Sequence, residues 1–334
     1  MKVNPKQQGF TLIELMITLV LGLLVSAIAI NLFLLGQRSS TVQQGMMSLQ
    51  NSTLFNLGSV INSIRIANLN SSKPFIDDTV LYGGIVLADR NISNNIKDDG
   101  SLNFTIDDNL LTKNTIGPSN LDGQSSDQLV VQYKVSTSNQ YDCEGREVTA
   151  NDYVVERYFL REDTNPRNDP NEALVLACKA TRYTENTAKT NTTLPGLSGG
   201  GEIIVPRVDH FAVRLGVAFD GANPDCTGIS TTTGSGDNVQ TVNYEADTKL
   251  DCFSYMDIDD YIGLSGRKPQ IVSVQLGLLV RSTDSTGANQ YFDKDREYEV
   301  LGVKAKLIAD NNNNLYLRSV VNQTIAIRNG FGIE

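Results

Sequence analysis

Few groups in this 334-residue chain could do chemistry. It carries one histidine, His210, four cysteines and no tryptophan. A zinc centre or a Ser-His-Asp triad would have to use that single imidazole. His210 falls on the polar side of an alternating stretch, where a solvated ring is expected. Cys143, Cys178, Cys226 and Cys252 contain no Cys-x-x-Cys spacing, which leaves a zinc ribbon or a thioredoxin-like dithiol unsupported. Acidic residues gather twice. Asp257, Asp259 and Asp260 come nearest to a calcium set. Asp310-Asn311-Asn312-Asn313-Asn314 has the opening spacing of a calcium loop, but Leu315 stands where that loop needs glycine and Val321 where it needs glutamate. A turn between strands fits Asp310 to Asn314 better. No phosphate loop, dinucleotide fingerprint or nucleophile elbow is found. No catalytic residue, metal or cofactor is expected, and the chain reads as a non-enzyme.

The remaining unusual group is Glu14. It is the one charge in the 27-residue run from Phe10 to Gly36, FTLIELMITLVLGLLVSAIAINLFLLG. As a helix that run is roughly 40 Å long, enough to cross a hydrocarbon core of about 30 Å. Lys2 and Lys6 precede it, so the positive-inside rule puts Met1 in the cytoplasm and the rest outside. A plain signal anchor explains the length. A cleaved secretory signal explains Ala27-Ile28-Ala29, although its apolar region is normally only 7–15 residues. Neither explains a carboxylate inside the apolar run, which costs a few kcal/mol in a membrane unless it is paired.

Gly9-Phe10-Thr11-Leu12-Ile13-Glu14-Leu15 resembles the processing site of the type IV pilin and pseudopilin family. The shared elements are a short basic leader, a glycine, an aromatic residue, an apolar run and a glutamate five residues after the cut. The resemblance implies cleavage between Gly9 and Phe10 by the prepilin peptidase, a membrane aspartyl protease, and N-methylation of Phe10. It also implies docking in a filament, with Glu14 of one subunit pairing with the Phe10 amine of a neighbour. Elementary electrostatics agrees, since a carboxylate that is costly alone in lipid becomes a register signal once paired. Many major pilins carry a proline in this helix. Here there is none, and Gly22 and Gly36 are its weak points.

These residues need a helix to carry them and a head to anchor it. The helix is expected to continue to about Ile66, roughly 85 Å in all, because Met46, Leu49, Thr53, Leu57, Ile61 and Ile64 recur at helical spacing. The cluster Asn68 to Ser72, followed by Pro74, ends it. The expected organisation is a leader over 1–9, a membrane or filament-core helix over 10–36, its amphipathic continuation over 37–68 and one periplasmic head over 69–334. The fold class is α+β, a type IV pilin-like long helix packed on a mostly antiparallel β head. Strands are expected at Leu129 to Val135, Tyr153 to Arg161, Ala173 to Cys178, His210 to Val217, Ile271 to Arg281 and Val320 to Ile327. In the fifth of these, Val272, Val274, Leu276, Leu278 and Val280 should point inward. Asn165 to Asn171, Tyr183 to Glu202 and Ala222 to Leu250 read as long loops, with disorder or tolerated insertion weighted above binding.

All four cysteines follow the membrane span, where an oxidising compartment favours two disulfides. Of the three possible pairings, Cys143–Cys178 and Cys226–Cys252 join adjacent segments and are preferred. The formal net charge is −10, with no basic run, which argues against direct nucleic-acid contact.

Two head segments, Lys268 to Ser282 and Arg318 to Asn329, are similar to PilW-type minor pilins. That resemblance implies a tip or priming complex that starts pilus assembly and supports pilus-dependent adhesion, twitching motility or DNA uptake. Implied partners are other minor pilins, the major pilin, the inner-membrane assembly platform and a PilC/PilY-type adhesin. The implied location is the inner membrane, single-pass with the head periplasmic, and then the pilus tip. Two alternatives stay open: a J-like minor pseudopilin of a type II secretion system, and a membrane-anchored periplasmic binding protein.

Overall fold

The computed structural model describes residues 10–51, 56–165, 173–220, 250, 252–266, 268–285, 295–308 and 315–331. The chain opens with two helical stretches, α1 (Leu12–Asn51) and α2 (Leu57–Ile66). They fall within the expected run from Phe10 to about Ile66, of which residues 52–55 lie outside the described residues. Two short helices follow in the head, α3 (Glu185–Thr190) and α4 (Ile258–Gly263).

Among the described residues the head holds thirteen strands. They are β1 (Lys113–Gly117), β2 (Ser126–Lys134), β3 (Gln140–Tyr141), β4 (Glu147–Val148), β5 (Tyr153–Glu162), β6 (Leu174–Tyr183), β7 (Glu202–Val205), β8 (Val208–Phe219), β9 (Cys252–Asp257), β10 (Gln270–Arg281), β11 (Tyr298–Val300), β12 (Val303–Ala305) and β13 (Arg318–Ala326). They form a five-stranded sheet in the order β1-β2-β5-β6-β7, a four-stranded sheet in the order β13-β10-β8-β9, and the hairpins β3-β4 and β11-β12. Every strand pairing is antiparallel. The molecule is α+β.

The central strands of the first sheet do not alternate in burial. Both of its faces are covered, which removes the usual exposed side. On one face Leu129, Val131, Tyr158, Leu160 and Leu176 join Val60 and Ile64 of α2 and Leu215, Val274 and Leu276 of the second sheet in one core. On the other face Val130, Tyr153, Val155 and Tyr183 pack with Tyr82, Phe104, Ala188, Leu194 and Leu197. The rings of Tyr82, Tyr153 and Tyr183 stack there, with centroids 4.3 and 5.2 Å apart. The segment from Tyr183 to Glu202, expected as a loop of disorder or insertion, is therefore part of the core: it forms α3 and seals this face. Asn165 to Asn171 and Ala222 to Leu250 lie almost wholly outside the described residues.

β10 is the centre of the second sheet, flanked by β8 and β13. Its pairing with β8 shifts register between Ile271 and Ser273. Past that irregularity the expected inward set Val274, Leu276, Leu278 and Val280 holds, but Ile271 rather than Val272 joins the main core. An extra residue in one strand swaps the faces on either side of it.

The two sheets are joined where β2 begins. The Asp127 carboxylate accepts from the Val213 amide of β8 at 2.7 Å and from the Thr115 amide of β1 at 3.0 Å. Ser126 Oγ accepts from the Phe211 amide at 3.2 Å.

Candidate functional site

At the start of α1, Thr11 and Glu14 cap the helix reciprocally. The Glu14 amide donates to Thr11 Oγ1 at 3.3 Å, and the Thr11 amide donates to Glu14 Oε2 at 3.3 Å. Thr-x-x-Glu is a capping box, which satisfies backbone donors that a helix start leaves unpaired. The sequence contains that signal at Thr11-Leu12-Ile13-Glu14, and reading Glu14 only as an intermolecular partner passes over it. Phe10 and Glu14 are both exposed. Gly9 lies outside the described residues.

From Leu12 to Leu35 the apolar side chains of α1 are exposed, and none is buried. Seventeen large ones, from Leu12 to Leu35, are exposed. Holding each in water rather than in an apolar medium costs roughly 1.5–3 kcal/mol, so the helix as a whole is short of a partner by tens of kcal/mol. At 40 residues it is roughly 60 Å long. Among the described residues it is the one helix long and apolar enough to cross a membrane. Only its end meets the head. Gly45 and Leu49 are buried, and Ser48 Oγ lies 2.5 Å from Thr283 Oγ1. The expected stripe put Met46 on the buried face, yet Met46 is exposed and Gly45 is buried in its place.

The head grips α2 more firmly. Leu57, Val60 and Ile64 are buried, and Ser63 hydrogen-bonds to Glu156. Glu156 is 1 % exposed. It accepts from the Tyr158 hydroxyl at 2.8 Å, the Cys143 amide at 2.9 Å and the Tyr133 hydroxyl at 3.2 Å. Burial pushes its pKa up, opposed by these donors. One carboxyl group thus links α2, β2, β5 and the segment of Cys143. Cys143 is disulfide-bonded to Cys178 of β6 across 35 residues. Cys252 is also disulfide-bonded, while its expected partner Cys226 lies outside the described residues.

Asn68 closes the helix end. Its backbone has φ +63°, its amide nitrogen donates to the carbonyls of Lys73 (2.9 Å) and Asn329 (2.8 Å), and its Oδ1 accepts from the Gly84 amide. A Cβ at position 84 would stand 2.3 Å from the Asn68 nitrogen, so only glycine permits this approach.

The remaining sequence candidates are placed as follows. His210 is 3 % exposed, not solvated, with Nδ1 2.9 Å from Ser119 Oγ and 3.4 Å from Ser126 Oγ. Its strand turns that side chain towards the joint between the sheets, and burial pushes its pKa down to about 4. Asp257 is engaged by Arg214 at 2.8 Å, and the Asp259 amide donates to Asn114. Among the described residues no three His, Cys, Asp or Glu side chains converge as a metal site requires. Asp310 to Asn314 lie outside the described residues.

Sequence reading missed further buried acids besides Glu156, among them Asp127 and Asp209. Asp127 is raised to about 6 by burial. Asp209 takes Arg318 at 2.5 Å and Asn120 at 2.7 Å. A charged residue within an apolar strand, as in Val-Val-Glu156-Arg-Tyr or Val208-Asp209-His210-Phe211, was the available signal.

Comparison with known proteins adds to this geometry. The model of the prokaryotic N-terminal methylation motif matches residues 4–30. The model of the Type IV pilus-assembly protein W family matches residues 157–329, just over half of the chain. No curated protein matches. A solved structure, a type IV-like pilin from Thermus thermophilus, aligns over 84% of this chain and 96% of its own, at 11% identity and a TM-score of 0.36, and at that score adds nothing about the fold. With a methylation motif at the start of a bare apolar helix and a family match across the head that grips it, the chain belongs to the Type IV pilus-assembly protein W family of pilin-like proteins.

Proposed function

We propose that this protein is a minor pilin that acts at the tip of a type IV pilus, in a complex of minor pilins that starts polymerisation of the major pilin. The observation that carries this reading is α1: its apolar surface is bare in the chain, and its one carboxylate, Glu14, stands at the very start. Such a helix needs lipid first and neighbouring helices afterwards, which is what extraction of a subunit from the membrane into a fibre provides.

In this reading the prepilin peptidase cuts between Gly9 and Phe10, Phe10 is N-methylated, and the head faces the periplasm. In the lone chain Glu14 Oε2 serves the capping box, and docking brings the Phe10 amine of a neighbour to the same carboxylate. A bulky head suits a terminal position better than a repeated one. A PilC/PilY-type adhesin and the assembly platform are the further partners. Adhesion, twitching motility or DNA uptake would follow from the fibre, not from chemistry in the head.

The test is a surface pilus count in a deletion strain, with and without the retraction ATPase. Pili should vanish in the first background and partly return in the second. Glu14→Ala should be processed normally yet fail to restore pili, whereas Gly9→Val should retain the nine leader residues by intact mass. An unchanged pilus count in both backgrounds would overturn the priming role. Loss of exoprotein secretion in its place would assign the chain to a type II secretion pseudopilus.

A further inference from the structure

At the far end of α2 the chain turns through Asn68 to Pro74 and meets the segment that follows β13. Between them lies a cavity of about 430 Å³. Among the described residues its charged lining is Lys73 and Arg328, without a carboxylate, in a chain where acids outnumber bases by 38 to 28. Ion pairs among the described residues leave both cations without an acidic partner. Asn70 and Asn329 add polar groups and Phe331 a half-exposed ring. The amide nitrogen of Asn70 is committed to Lys134 O and Ser136 Oγ, and that of Asn329 to Ala67 O, which leaves their carbonyl oxygens as acceptors. The Asn68 side chain, by bonding both Lys73 O and Asn329 O, holds the two walls in place.

We propose that this cavity binds a hydroxylated carboxylate of the size of one sugar acid. Two cations facing one space favour an anion, and a guanidinium is suited to a carboxylate. The amide oxygens of Asn70 and Asn329 match ligand hydroxyl groups. The Phe331 ring offers an apolar face to the C–H side of a sugar ring. The volume lies within the range of small-molecule sites. The inference goes beyond the assembly role and stands whether the head rides a pilus or a pseudopilus.

The test titrates the full-length chain in detergent with galacturonate, galactose, acetate and N-acetylglutamate amide. Galacturonate should bind saturably, and galactose and acetate at least tenfold more weakly. Lys73→Ala and Arg328→Ala, both at exposed positions, should each weaken galacturonate at least tenfold without moving the Tm. Absence of saturable galacturonate binding, or equal binding by the double variant Lys73→Ala/Arg328→Ala, overturns the proposal. Tighter binding of N-acetylglutamate amide makes the cavity a seat for a protein side chain and also overturns it. So does binding that appears only when residues 332–334 are removed, since the chain's own tail would then be the occupant.

Discussion

In α1, seventeen large apolar residues between Leu12 and Leu35 stand exposed, whereas in α2 three of ten residues, Leu57, Val60 and Ile64, are almost wholly removed from solvent. The first half of α1 is apolar all round, whereas α2 is apolar on one face only, and their fates are opposite. α2 is a core element: a sheet covers it and Glu156 hydrogen-bonds to its Ser63. α1 is a core element without a core. Its stability as a helix comes from having no unsatisfied backbone along its length, the property that lets a segment live in lipid. Anchoring and folding are thereby separable in this chain, and substitutions in the two helices should read out in different assays.

The sharpest contrast pairs Ile64→Asp with Leu19→Asp. The first buries a charge in the head core and should abolish cooperative unfolding of the head, followed by limited proteolysis. The second should leave that unfolding unchanged but cost about 3 kcal/mol of membrane insertion, read as release from the membrane fraction. Equal effects on head stability would break the separation.

Replacing Cys143 and Cys178 by serine is next in size. Opening a loop of 35 residues should cost the head about 3–4 kcal/mol in denaturant unfolding. Membrane retention should not change.

Within the head, Asp127 and His210 oppose each other with pH. Burial raises Asp127 to about 6 from its ordinary 3.8, so between pH 4 and 6 the folded head holds more protons than the unfolded chain and stability falls as pH rises. Burial lowers His210 to about 4 from 6.5, so over nearly the same window the folded head holds fewer protons and stability falls as pH drops. Each effect amounts to about 3 kcal/mol, and they nearly cancel. The slope left in the wild type then comes from other groups, the raised Glu156 among them. Relative to wild type, His210→Gln should lose the opposing contribution and decline by about 3 kcal/mol more as pH rises from 4 to 6. A variant profile parallel to that of the wild type would show that His210 is not lowered.

The smallest contrast lies inside α1 itself. Leu49→Ala should cost the head about 2 kcal/mol, and Met46→Ala, three residues away and exposed, less than about 0.5 kcal/mol. Comparable losses would restore the stripe that periodicity suggested.

What could be read in the sequence was local. Alternation located β8, β10 and β13, and apolar length located α1. Alternation says which residues share a face, and His210 was assigned to a polar one on that basis. It does not say that a second layer covers that face. The segment from Tyr183 to Glu202 looked like a surface loop because its few apolar residues, Ala188, Leu194 and Leu197, lack a period, yet they fill the outer face of the first sheet.

The sequence by itself determined that a long apolar helix with a carboxylate at its start precedes a β-rich head, because both follow from residue order along one segment. Only the tertiary structure decided which polar groups are buried and what satisfies them. Glu156 meets donors from β2, β5, α2 and the Cys143 segment. Asp209 meets Arg318 across 109 residues, and Asn68 bonds Asn329 across 261. Burying a charge or an amide is favourable only with its partners in place, and those partners are close in space while far apart along the chain.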